Sequence, residues 1–224
     1  MKITYLGQAG LLLEKENIQI LIDPYLSDSV EKVQPKNYRR VAVDPRFLKI
    51  RPDILIFTHN HLDHYDPETV QHYMTPDSKM TVLAPGSVWG AVRAYGGENN
   101  YVLFNRHTAW TEQGIRFTAV KAEHSDPDAI GVVIDDGEKI YYITGDTLYN
   151  EDIFPDLPAD IYALFLPVNG VGNNMNMTDA ARFAQRVNAK KVVPIHIGMF
   201  DSLTAEGFLC ENKVVPEIYK EVAI

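Results

Sequence analysis

Residues Thr58-His59-Asn60-His61-Leu62-Asp63-His64 set three histidines and an aspartate inside one short run. The run before it, Asp53-Ile54-Leu55-Ile56-Phe57, is apolar and rich in β-branched side chains, as a buried strand requires. After it, Asp66-Pro67-Glu68 has the form of a helix start, with an N-cap aspartate and proline at the first helical position. The polar cluster therefore occupies a strand-to-helix loop. Imidazole and carboxylate are the common ligands of zinc and similar divalent ions. Four such side chains exceed what one ion takes from one loop, which points to two ions sharing it.

Three more suitable residues lie downstream, each just past a strand-like run. His124 follows Ile115 to Ala122, Asp146 follows Lys139 to Thr144, and His196 follows Val192 to Ile195. Singly, a strand-end histidine or a Gly-Asp-Thr turn is ordinary. Together with the first loop they form a ligand set that converging strand ends can assemble.

The chain has 224 residues, a hydrophobic fraction of 46% and a charged fraction of 23%, within the range of globular proteins. With no linker, low-complexity tract or repeat apparent, residues 1–224 read as one domain. Its 21 basic and 30 acidic residues give a formal charge of −9, which argues against a broad nucleic-acid-binding face. Cys210 is the single cysteine, so no internal disulfide forms and a reducing cytoplasm fits. The opening residues read as a strand rather than a signal peptide, and no apolar run suits a membrane span.

Strands are expected over residues 2–6, 11–15, 18–22, 80–84, 101–104, 109–112, 115–122, 130–135, 139–144, 161–166 and 192–195. Helices are expected over 67–73, 87–95, 178–187 and 214–222, with a helical turn near 45–48. The segment 27–52 reads as a long, locally basic loop carrying Arg39 and Arg40. Such a cluster is either a solvated face or an anion site. Asp23, before Pro24, is either a turn residue or an acceptor for amides of the metal loop. His72 and His107 read as ordinary histidines, and Tyr149 and Asn169 as weak candidates for a leaving-group acid.

The order H-x-H-x-D-H, a lone histidine, Gly-Asp and a last histidine resembles the metallo-β-lactamase superfamily over almost the whole chain. The resemblance implies an α/β fold, a four-layer αββα sandwich with its metal site at one edge. It implies that His59, His61 and His124 hold a first ion, that Asp63, His64 and His196 hold a second, and that Asp146 bridges them. A narrower set of motifs is similar to the L-ascorbate-6-phosphate lactonase group: Asp126-Pro127, Ala129-Ile130-Gly131, Tyr142 to Thr147, Asn169-Gly170, Asn174-Met175-Asn176, Pro194-Ile195-His196 and the loop Gln34 to Pro45.

The expected activity is hydrolysis of a small anionic ester or lactone, such as a sugar-phosphate lactone, by a metal-bridging hydroxide formed from a water that Asp63 orients or deprotonates. Two divalent ions, two aspartates and one hydroxide leave a net charge of about +1, which favours an anion. Arg39, Arg40, Asn169 and Asn174 are the candidate substrate contacts, although shaping a polar loop is the preferred role of Asn174 and Asn176. Zinc and manganese suit the ligand set best and iron is compatible. The partner expected is the small anionic substrate, with self-association into a homo-oligomer left open. Competing readings are a phosphodiesterase or nuclease with the same dinuclear centre, and a non-hydrolytic di-iron redox or binding protein.

Overall fold

The computed structural model describes residues 1–224. The chain opens with β1 (Lys2–Gly7), β2 (Gly10–Lys15) and β3 (Ile18–Ile22), then α1 (Ser29–Val33), β4 (Ile54–Ile56), α2 (Pro67–Val70), β5 (Thr81–Ala84), α3 (Gly86–Arg93) and β6 (Asn100–Leu103). It continues with β7 (Ala109–Glu112), β8 (Ile115–Lys121), β9 (Ile130–Asp135), β10 (Ile140–Ile143), β11 (Ile161–Pro167), α4 (Met177–Val187) and β12 (Lys191–Ile195). Short 3₁₀ turns cover Phe47–Lys49, Glu151–Asp156 and Ala205–Gly207.

Two six-stranded sheets result, in the orders β1-β2-β3-β4-β5-β6 and β12-β11-β10-β9-β8-β7. Each is mixed. The strands β1 to β3 are antiparallel and β3 to β6 parallel, while β7 to β10 are antiparallel and β10 to β12 parallel.

The side-chain alternation of each strand decides its faces. Ile54 and Ile56 of β4 point into the layer between the sheets, with Ile130, Val132 and Ile134 of β9 opposite. Leu55 points the other way, onto Val70, Val88 and Val92 of α2 and α3. On the far side, Val133 and Leu164 meet Ala180 and Phe183 of α4. The four layers are thus helix, sheet, sheet, helix, as the ligand order implied. No helix is long and apolar enough to cross a membrane.

Element boundaries differ from the sequence expectation in three informative places. The α4 cap is Asn176, whose side chain accepts from the amides of Thr178 and Asp179. Residues 29–33 form a helix too short to leave a periodic signature. The largest correction is at residues 214–222, expected as a helix. Pro216 lacks an amide proton, and the segment instead runs along open sheet edges. Val214 N donates to Val192 O at 2.8 Å, beside β12. Tyr5 N donates to Lys220 O at 3.1 Å and Val222 N to Ile3 O at 2.8 Å, beside β1. The segment thereby covers one exposed edge of each sheet.

Val222 docks in the inter-sheet core with 4% of its surface exposed. The substitution Val222→Asp is expected to lower unfolding stability by about 3 kcal/mol, because it buries an unpaired charge. Urea denaturation measures this, and an unchanged midpoint would contradict the docking of the segment.

Candidate metal centre

The cluster forms where strands of both sheets end. The loop after β4 carries His59, His61, Asp63 and His64. It turns back on itself where His64 N and Tyr65 N both donate to His61 O, at 3.0 and 2.8 Å. It then enters α2 through the Asp66 cap, which accepts from the amides of Glu68 and Thr69. His124 follows β8, Asp146 follows β10 and His196 follows β12.

Their donor atoms gather in two groups, His59, His61, His124 and Asp146, and Asp63, His64 and His196. Within each, the atoms lie within 4.8 Å of one another. Asp146 also faces the second group, with Oδ1 at 3.2 Å from His64 Nε2 and Oδ2 at 3.2 Å from His196 Nε2. It stands between the two sets.

The backbone allows this only with unusual turns. Gly145 has φ +60°, and a Cβ there would lie 2.9 Å from both Ile130 O and Thr58 Cβ. Glycine at this position lets Asp146 approach the first loop. Gln8, Asp23 and His196 adopt positive φ of 54°, 43° and 65° without being glycine. Left-handed backbone at such residues is costly and tends to gather at functional sites.

An outer ring of polar groups fixes the donors. Asp23 is fully buried and accepts from Thr58 N at 2.8 Å and Thr58 Oγ1 at 2.5 Å. It also faces His64 Nδ1 at 2.8 Å, which leaves Nε2 turned towards the cluster. Asp23 therefore serves the metal loop, the second of its two readings. Asn174 accepts from Thr147 N at 3.1 Å and donates to Asp146 Oδ2 at 2.9 Å. It is buried, and its side chain is committed to Thr147 and Asp146, the loop role among its two readings. Asn169 Nδ2 lies 3.0 Å from His196 Nδ1, at the wall of the site.

Gln8 was missed by sequence reasoning. Its Nε2 donates to Asp63 Oδ2 at 2.8 Å and lies 3.0 Å from His196 Nδ1. Its carbonyl accepts from His196 N at 2.8 Å. The one available signal was a polar residue in an apolar hairpin, too weak to announce contacts with residues so distant in sequence.

Both arginines fall outside the cluster. Arg39 donates to Tyr25 O at 2.9 Å and to Tyr219 Oη at 2.8 Å, with its guanidinium over the Tyr25 ring. Arg40 is exposed and stacks on Tyr38. Neither lines the cavity of about 450 Å³ that opens onto the donors, and no lysine or other arginine does. Aromatic and carbonyl partners hold Arg39 outside the cavity, and the structure does not bring the two expected arginine contacts to the donors. Tyr149 donates to Glu151, and His107 faces Asp156; both lie apart from the cavity.

The donor set fits divalent cations. His59 Nε2, His64 Nε2 and Asp146 Oδ1 are buried and have no hydrogen-bond partner. Buried polar atoms without partners are expensive, and with His64 deprotonated, as a bound cation requires, these three aim lone pairs into one cluster. His61 Nδ1 and His124 Nε2 face each other at 3.2 Å, a further pair that a cation would satisfy.

The family model described as the β-lactamase superfamily domain matches residues 19–197. The chain belongs to the β-lactamase superfamily. A UPF0173 metal-dependent hydrolase from Exiguobacterium sp. is 29% identical, covering 97% of this chain and 100% of the relative. A possible metal-dependent hydrolase from Veillonella parvula shares the fold with a TM-score of 0.80 at 18% identity, covering 100% of this chain and 99% of the other. An isothiocyanate hydrolase from Delia radicum gut bacteria superposes with a TM-score of 0.76 at 22% identity, over 100% and 99% of the two chains. Membership in this superfamily accords with the two-sheet sandwich of the metallo-β-lactamase type.

Without metal, proton balance within the cluster is uneven. Burial disfavours a charged His64, yet Asp146, Asp23 and Asp63 outweigh it and hold its pKa well above the ordinary value. Burial likewise opposes His196, which Asp146 and Asp63 push up to about 9. Burial, reinforced by His64, keeps His59 neutral. Asp63 and Asp146 are held below the usual carboxylate range because the neighbouring histidines overcome their burial.

The raised histidines add stability that is complete below the unfolded value of 6.5 and lost as pH rises through about 9. The lowered carboxylates add stability present above 3.8 and lost in acid. Metal-free protein should therefore show a falling melting temperature from pH 6.5 to pH 9. Zinc or manganese, which binds deprotonated ligands, should raise it most at the alkaline end. Scanning calorimetry across this range tests the sign, and a metal-free melting temperature that rises towards pH 9 would contradict it.

Proposed function

We propose that this protein is a metal-dependent hydrolase that cleaves a small ester or lactone with two divalent ions, zinc or manganese. The observation that carries the reading is the set of buried, partnerless donor atoms of His59, His64 and Asp146, gathered behind the cavity that His61, Asp63, Asp146 and His196 line. The names of its relatives, metal-dependent hydrolases, support the same class. The lactonase-like motifs around Asp126, Asn169 and His196 favour a carbonyl substrate.

Divalent ions held by these residues would supply an activated water near neutral pH and polarise the scissile carbonyl. His59, His61, His124 and Asp146 would hold one ion, and Asp63, His64 and His196 the other, with Asp146 serving both. Asp63 is the more open carboxylate, its side chain 19% exposed against 5% for Asp146. With its pKa held low by His64 and His196 against its burial, it is a weak base. It orients the attacking water through one oxygen and takes the proton only as the new bond forms. Gln8 holds the Asp63 carboxylate in place throughout, and the proton then passes to the departing alkoxide.

A phosphodiesterase draws less support, because a nucleic-acid backbone needs cationic contacts and the cavity has no lysine or arginine.

A panel of neutral esters, lactones, bis(p-nitrophenyl) phosphate and RNA tests the reading with zinc- or manganese-loaded protein. Hydrolysis of an ester or lactone is expected, abolished by chelator and reduced on the order of 100-fold or more in Asp146→Asn. Activity indifferent to chelator, or confined to phosphodiesters, would overturn it.

A further inference from the structure

The cavity wall away from the donors combines apolar side chains with neutral amides and one aspartate, and it carries no lysine or arginine. Val30 and Val33 of α1 line it, as do Val171 after β11 and Phe200 after β12. Val33 and Val171 are 66% and 67% exposed, large apolar surfaces left open at a cavity mouth. Scattered exposed valines are ordinary. Two that line one cavity beside a buried polar cluster form a surface that an apolar ligand would cover.

The charges beyond the donors point the same way. Asp201 lines the cavity with its Oδ1 held by the amides of Gly198 and Leu203, and no lysine or arginine lines the cavity beside it. The side chains of Gln34 and Asn37 lie at the same wall and are neutral amides. Lys36, between them in sequence, is exposed and outside the lining. Arg39, the cation nearest in expectation to an anion clamp, is held by Tyr25 and Tyr219. A phosphate on the non-reacting part of a substrate would find no cation there and would face Asp201.

We infer that the site takes an uncharged substrate whose non-reacting arm is a hydrocarbon chain or ring seated on Val30, Val33, Val171 and Phe200, and that it rejects phosphorylated substrates. This rests on the hydrolase reading for the bond cleaved, while the choice of arm rests on the cavity wall alone. The positive charge of the metals acts at the scissile group, where charge develops, and leaves the arm's environment apolar.

The test measures hydrolysis and binding separately on zinc-loaded protein. For hydrolysis, kcat/KM is compared for p-nitrophenyl acetate, butyrate and hexanoate and for a phosphorylated hexonolactone beside its unphosphorylated form. A rise of about threefold per methylene is expected, with the phosphorylated lactone the poorer of its pair. For binding, titration calorimetry compares acetohydroxamate, hexanohydroxamate and a hexanohydroxamate ending in phosphate. Hexanohydroxamate should bind on the order of 80-fold more tightly than acetohydroxamate, and the terminal phosphate should remove that gain.

Val171→Lys, at an exposed position, should weaken hexanohydroxamate and strengthen its phosphorylated form. Tighter wild-type binding of the phosphorylated probe, lost in Lys36→Ala, would overturn the inference by making Lys36 an anion clamp. Affinity independent of chain length would overturn it as well. Chain-length-dependent binding without hydrolysis of any compound would instead sink the hydrolase reading and leave the apolar arm standing.

Discussion

Seven lone-pair donors packed into one poorly solvated space make a demand that the protein's own hydrogen bonds do not meet. His59 Nε2, His64 Nε2 and Asp146 Oδ1 are buried without partners, and the rings of His59, His61 and His124 stand with centroids 4.6 to 4.7 Å apart. Leaving such atoms unsatisfied in a low-dielectric interior is costly, and a cation is the partner that relieves several at once. The rest of the site can be understood as what holds that arrangement open. Asp23 turns His64, Asn174 turns Asp146, and Gln8 ties Asp63 to His196.

The sandwich explains how residues from four separate loops meet. Parallel pairing in each sheet, β3 to β6 in one and β10 to β12 in the other, sends several strand ends to the same edge. The inter-sheet core then fixes the two edges against each other. Left-handed backbone at Gln8, Asp23 and His196 falls in turns that leave those strands or the neighbouring β1. His196 takes a left-handed backbone while its amide bonds the carbonyl of Gln8, itself left-handed, so one sheet's turn braces the other's. Hydrophobic burial stabilises the frame, and the frame in turn sustains the crowded polar centre.

Much of this was legible in the sequence because the informative features are local. The strand before Thr58, the Asp66-Pro67 cap and the ligand order each declare themselves within a few residues, and β-branched runs mark strands such as β3, β4, β9 and β12. What stayed hidden depends on distant partners. Nothing near Gln8 reveals that it meets Asp63 and His196, and nothing near Asn174 reveals that it serves Asp146 rather than a substrate. Arg39 and Arg40 suggested an anion clamp by composition, but an arginine's role depends on its neighbours, and Tyr25 and Tyr219 take the first of them. Residues 214–222 misled for a similar reason: the open edges of β1 and β12 offered hydrogen bonds that local helical preference could not match.

The most direct test of the metal centre is an anomalous-difference map from crystals of protein purified in the presence of zinc or manganese, collected at the metal's absorption edge. The account predicts two peaks, one among His59, His61, His124 and Asp146 and the other among Asp63, His64, His196 and the same aspartate. Their absence from both groups at full metal loading, or peaks only at surface carboxylates, would contradict it.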